Sequence, residues 1–97
     1  MHHIQSESLD QLFDAILNLK TREDCSKFFE DICTVKELLD LAQRMDVAVL
    51  LDQGVSYQTI AQKINVSTAT ISRVSRCLNY GSGGYRLVLD RLQEDKA

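Results

Sequence analysis

The stretch Ser56-Tyr57-Gln58-Thr59-Ile60-Ala61-Gln62-Lys63-Ile64-Asn65-Val66-Ser67-Thr68-Ala69-Thr70-Ile71-Ser72-Arg73-Val74-Ser75-Arg76-Cys77-Leu78-Asn79-Tyr80 holds two short helical periodicities around a polar turn. Ile60 and Ile64 share one face of a first helix, which Ser56 is placed to cap, and Ile71 and Val74 share one face of a second, which Ser67 is placed to cap. Between them, Asn65-Val66-Ser67 is short enough to force a steep angle, and Asn65 tolerates the positive φ that such a corner needs. Ala61 lets the second helix approach the first closely. Two helices in this relation, with apolar positions that hold the angle, form a helix-turn-helix.

The outward positions of the second helix suit contact with double-stranded DNA. Thr68, Ala69, Thr70 and Ser72 are small, with hydroxyls to hydrogen-bond base edges or methyls to pack on thymine. Gln58, Lys63, Arg73 and Arg76 reach phosphates or bases, and Ser67 caps a helix start whose amides face outward. The net charge of −3 argues against nucleic acid until it is mapped along the chain. Residues 1–55 carry eleven acids against five Lys and Arg, residues 56–80 carry none against three, and residues 81–97 carry three of each. Phosphate responds to the potential of the docking face, not to the chain total. The competing reading of the same stretch is an amphipathic hairpin whose hydroxyls only cap helices.

Upstream, Leu9, Leu12, Phe13, Ile16 and Leu17 repeat with helical period behind Ser6 or Ser8 as cap. Thr21 opens a second helix, with Glu23 and Asp24 on its positive end and Phe28, Phe29 and Ile32 along one face. Thr34-Val35-Lys36-Glu37 reads as a capping box for a third helix reaching about Asp52, with Val35, Leu38, Leu39, Ala42, Met45, Ala48, Val49 and Leu51 as its apolar stripe. Gln53-Gly54 ends it through a left-handed glycine. Downstream, Gly81-Ser82-Gly83-Gly84 is a break, and Tyr85, Val88, Leu89 and Leu92 mark a sixth helix before a loose polar tail from Glu94. Tyr80 and Tyr85 are expected to anchor that break against the core. No strand alternation appears, so the fold is read as all-α with six helices. It forms a single domain: core and dimerisation helices in 1–55, the helix-turn-helix in 56–80, and a last helix and tail in 81–97.

The 97 residues, 44% hydrophobic and 26% charged, fit one globular domain. Its modest size favours a core shared with a second copy. Cys25, Cys33 and Cys77 are odd in number and lack paired spacing, so neither a disulfide scaffold nor a zinc site is expected, and each is read as a packing residue. His2 and His3 would bind metal only incidentally. No apolar run reaches membrane-spanning length, and Met1-His2-His3-Ile4 lacks the layout of a signal peptide, so the cytoplasm is the expected location with no membrane partner. No nucleophile–histidine pairing or phosphate-cradling glycine loop is present, so an enzyme is not expected.

Several runs carry a further likeness: Thr34-Val35-Lys36-Glu37, Ala42-Gln43-Arg44, Leu50-Leu51-Asp52-Gln53-Gly54-Val55-Ser56, Ala69-Thr70-Ile71-Ser72-Arg73, and Leu78-Asn79-Tyr80-Gly81 with Gly84-Tyr85. Together they span about Asp31 to Leu92 and resemble the tryptophan repressor family, in particular its YerC/YecD-type branch. The resemblance implies an intertwined all-helical homodimer that reads two half-sites roughly 34–36 Å apart. It also implies an effector pocket in which Arg44 and Arg73 match the two arginines that hold the corepressor, with Thr34 and Cys77 at further pocket positions. This sequence departs from the family at Val74, where the family has glycine, and at Cys77, where it has serine. A branched valine obstructs a slot shaped by glycine, at a typical cost of ~1–3 kcal/mol. Ligand-free DNA binding, or a small effector other than tryptophan, is therefore expected, and no cofactor. The expected function is a sequence-specific transcriptional regulator, a repressor in the first instance. The rivals are a helical protein-interaction module without DNA binding and an amino-acid-responsive repressor.

Overall fold

The structure is a computed structural model that describes residues 6–96. His2 and His3 lie outside the described residues. Six helices follow in order: α1 (Glu7–Leu17), α2 (Arg22–Ile32), α3 (Val35–Asp52), α4 (Tyr57–Ile64), α5 (Thr68–Tyr80) and α6 (Gly84–Lys96), with no strand among the described residues. The chain separates into two compact units, residues 1–39 and 40–97, and the division falls within α3.

In the first unit the helix starts follow from local chemistry. Ser6 caps α1, accepting from the Leu9 backbone N–H at 3.0 Å, and Thr21 caps α2, accepting from the Asp24 N–H at 3.0 Å. The capping box before α3 closes in both directions. The Glu37 N–H donates to Thr34 Oγ1 at 3.1 Å, and the Thr34 N–H donates to Glu37 Oε1 at 2.9 Å. These bonds to Thr34, its backbone N–H first, hold the Glu37 carboxyl below its ordinary value. Neither α1 nor α2 has a buried residue. Phe13, Leu17, Ile32, Val35 and Leu39 are all exposed, Leu17 at 80%.

The second unit holds every buried hydrophobic residue among those described. Val47 and Ala48 of α3, Ile60 of α4, Val66 of the turn, Ile71 and Val74 of α5 and Leu89 of α6 form one cluster. The end of α3 is a Schellman motif: the Val55 N–H donates to the Leu50 carbonyl at 3.1 Å and the Gly54 N–H to the Leu51 carbonyl at 3.0 Å, with Gly54 at φ +81°. Val55 and Leu50, the two ends of the longer bond, both pack on the core. Asn65 ends α4 in the left-handed region at φ 50°, ψ 54°.

Four local expectations change. The tail from Glu94 is helical as far as Lys96, since nothing in Asp90-Arg91-Leu92-Gln93-Glu94-Asp95-Lys96 interrupts α6. On α3, Val47 is fully buried although the stripe read from sequence omits it, whereas Val35 and Leu39 of that stripe are 77% and 63% exposed. Cys25 and Cys77 are exposed and Cys33 half-buried. Cys25 rides on a helix with no buried residue, and Cys77 sits at the edge of the buried stripe of α5. Tyr80 is 83% exposed and anchors nothing, because it is turned about 200° around the helix from Leu78, which packs on the core. Tyr85 does pack on the core.

Candidate nucleic-acid interface

The helix-turn-helix of the second unit packs α5 against both α4 and α6. Both helices of the motif begin with the same device. Ser56 Oγ accepts from the Thr59 N–H at 3.2 Å and donates to Thr59 Oγ1 at 2.9 Å. Ser67 Oγ accepts from the Thr70 N–H at 3.2 Å and donates to Thr70 Oγ1 at 3.0 Å. Each serine thereby satisfies one of the amides that a helix start leaves without an intrahelical partner.

Helical geometry sorts the α5 side chains. Ile71, Val74 and Leu78 face the core, with Ile71 and Val74 at 0% and 2% exposure. Thr68, Ala69, Ser72, Arg73 and Arg76 fall within an arc of about 140° on the opposite side, and all five are exposed. Ser67, Gln58 and Lys63 are exposed as well. Neither α4 nor α5 has an acid in its first turn, and Lys63 lies in the last turn of α4. The exposed surface of the motif is thus free of carboxylates and built from small and cationic side chains. Thr70 differs from its neighbours: it is half-buried and its hydroxyl is engaged by Ser67. Thr68, Ala69 and Ser72 are therefore the small side chains most open to a partner.

On the flank of α5, Thr70, Arg73, Val74 and Cys77 line a cavity of about 240 Å³ with Arg44 of α3 and Tyr85 of α6. Arg44 thus meets Arg73 and Cys77, which lie one helical turn apart on α5. Thr34 lines a different groove, with Glu30, Cys33, Val35, Leu38 and Leu39. Burial pushes the Tyr85 phenol above its ordinary value, with Cys77 adding to the effect and the Arg44 and Arg73 guanidinium groups opposing it. The phenol accordingly stays neutral at physiological pH and within electrostatic reach of both arginines.

Sequence reasoning placed Tyr85 at the turn but not in this cavity. It also missed the ion pair beside it. Arg86 donates to both Asp52 oxygens, at 2.7 and 3.1 Å, and to Asp90 Oδ1 from Nε at 2.9 Å. These bonds hold the Asp52 carboxyl below its ordinary value. The Arg86–Asp90 spacing of four residues was legible on a helix; the partner 34 residues away left no local signal.

Fold and site together define an all-α helix-turn-helix protein. The sequence profile of the Trp repressor protein family matches residues 7–93, and the chain belongs to that family. It is 50% identical over 91 residues to the uncharacterised protein YerC of Bacillus subtilis, covering 94% of this chain and 88% of that one. A crystal structure from Staphylococcus aureus, provisionally described as a Trp repressor, superposes with a TM-score of 0.88 at 50% identity, over 92% of this chain and 89% of the other. A TrpR-like protein from Eubacterium eligens matches with the same TM-score at 49% identity, over 92% of each chain. No helix among the described residues is long and apolar enough to cross a membrane.

Proposed function

We propose that this chain is a sequence-specific, DNA-binding transcriptional regulator of the cytoplasm, a repressor, that acts as a homodimer and docks α5 in the major groove. The observation that carries this reading is the outer face of α5: Thr68, Ala69, Ser72, Arg73 and Arg76 are exposed on a carboxylate-free helix held rigidly by a buried core. Small side chains let the helix approach base edges, and the cations with Lys63 meet phosphates on either side. Membership of a family named for a repressor supports the regulatory role.

The dimer is supported by the first unit. Phe13 and Leu17 of α1, Ile32 of α2, and Val35 and Leu39 in the first turns of α3 are exposed apolar residues in a unit with no buried residue among those described, and a second copy covers them by symmetry. On this reading residues 1–55 serve dimerisation and core formation, and the whole chain works as one domain. The cavity beside α5 favours a second, narrower reading in which a small effector other than tryptophan tunes binding through Arg44, Arg73 and Cys77. Buried Val74 stands on its wall against an indole.

Selection of bound fragments from genomic DNA, repeated with and without added amino acids, tests the function. A shared motif with two half-sites is the expected result. Recovery of unrelated fragments in proportion to their abundance would reject it. Lys63→Ala should weaken every recovered fragment alike and lower the salt slope by about one if it contacts a phosphate.

A further inference from the structure

We propose that Tyr85, seated by the Arg86 latch, is a built-in aromatic wedge that fixes the orientation of α5, so that the chain binds DNA without a small-molecule effector. The inference rests on the DNA-binding reading above and specifies how that site is regulated. Tyr85 packs on the core while its ring forms one wall of the cavity behind α5, facing the flank that carries Thr70, Arg73 and Cys77. Tyr85 therefore shares this cavity with the reading helix and with Arg44 of α3.

Three features fix its place. The chain turns from α5 to α6 within three residues: a Cβ at Gly81 would fall 2.3 Å from the Cys77 carbonyl oxygen, and Gly83 stands at φ +87°. Only glycine suits either position comfortably. Arg86, the next residue after Tyr85, then ties α6 to the last residue of α3 through both Asp52 oxygens and is braced by Asp90. Leu89, one turn beyond Tyr85, is buried at 4% exposure and seats the same face of α6 in the core. Glycine turn, latch and buried leucine leave the Tyr85 ring little choice of position. Side-chain packing of this kind transmits orientation, because close-packed interiors do not deform smoothly.

The test uses the full-length protein, the fragment recovered by selection, and two readouts: DNA affinity by fluorescence anisotropy and backbone hydrogen exchange in α5. Tyr85→Phe, which keeps the ring, should stay near the unaltered protein in both. Tyr85→Ala should bind about tenfold more weakly, as expected if the reading-competent fraction falls to about a tenth, and exchange in α5 should accelerate by a similar factor. Addition of phenol, the severed group, should restore both, as small aromatics refill cavities of matching shape, while leaving the unaltered protein unchanged. Arg86→Gln should give a smaller loss of the same kind. Unchanged exchange and affinity in Tyr85→Ala would overturn the wedge, as would losses that phenol leaves in place. Exchange that accelerates and recovers in Tyr85→Ala, in a protein whose unaltered form prefers no DNA sequence, would sink the DNA reading while leaving the wedge intact.

Discussion

Residues 6–39 and 40–96 are built from similar amphipathic helices, yet they reach opposite outcomes. The second region buries Val47, Ala48, Ile60, Val66, Ile71, Val74 and Leu89 in one cluster. The first buries nothing, and its α1 leaves Phe13 50% and Leu17 80% exposed. Capping does not explain the contrast, since Ser6, Thr21 and Thr34 satisfy helix starts as well as Ser56 and Ser67 do. The difference is in what covers the apolar faces. Around the helix-turn-helix, the chain supplies its own cover; along α1 and α2 it does not, and a second copy is the proposed complement. On the proposed function, a reading head with its own core is joined to a segment that serves association.

The largest effect should come from the self-sufficient region. Ile71→Ala removes a fully buried side chain and should cost about 2–5 kcal/mol, measured by urea denaturation. Leu17→Asp should instead act through association. Light scattering should show the particle mass fall by half, since a charge replaces an apolar side chain at the proposed interface; an unchanged mass would remove the grounds for the contrast.

Smaller effects separate local from shared stability. Ser67→Ala deletes the cap of α5 and should cost about 1 kcal/mol, visible as a lowered thermal midpoint with no change of mass. The smallest effect should be electrostatic. The Glu37 and Asp52 carboxyls are both held below their ordinary values, Glu37 by hydrogen bonds with Thr34 and Asp52 by those from Arg86. For a depressed carboxyl the stabilisation is complete above the unfolded value and is lost as pH falls through the lower folded value. Thermal midpoints should therefore decline below about pH 4, and Asp52→Asn should flatten part of that decline. Both pairs are exposed, so each contribution is small.

Much of the architecture was legible because it is written locally. The Thr34–Glu37 capping box, the left-handed Gly54 and Asn65, and the Ser56 and Ser67 caps each depend on residues within five positions of one another. The outer face of α5 was legible for the same reason, since period alone turns Ser72, Arg73 and Arg76 about 100° or more away from both Ile71 and Val74. What escaped was set by distant partners. Val47 looks no different in sequence from Val35, yet one is fully buried, in a cluster with residues of α4 to α6, and the other is 77% exposed. The Arg86–Asp52 pair spans 34 residues, and the place of Tyr85 beside Arg44 and Arg73 follows from that latch.

Affinity for a selected fragment, compared with the same fragment carrying scrambled half-sites across a range of salt concentrations, tests most directly whether the exposed face of α5 reads sequence. The expected result is a preference of about a thousandfold or more at physiological salt, lost on replacing Thr68 and Ser72 while the protein stays folded. Equal affinity for both fragments at every salt concentration would contradict it.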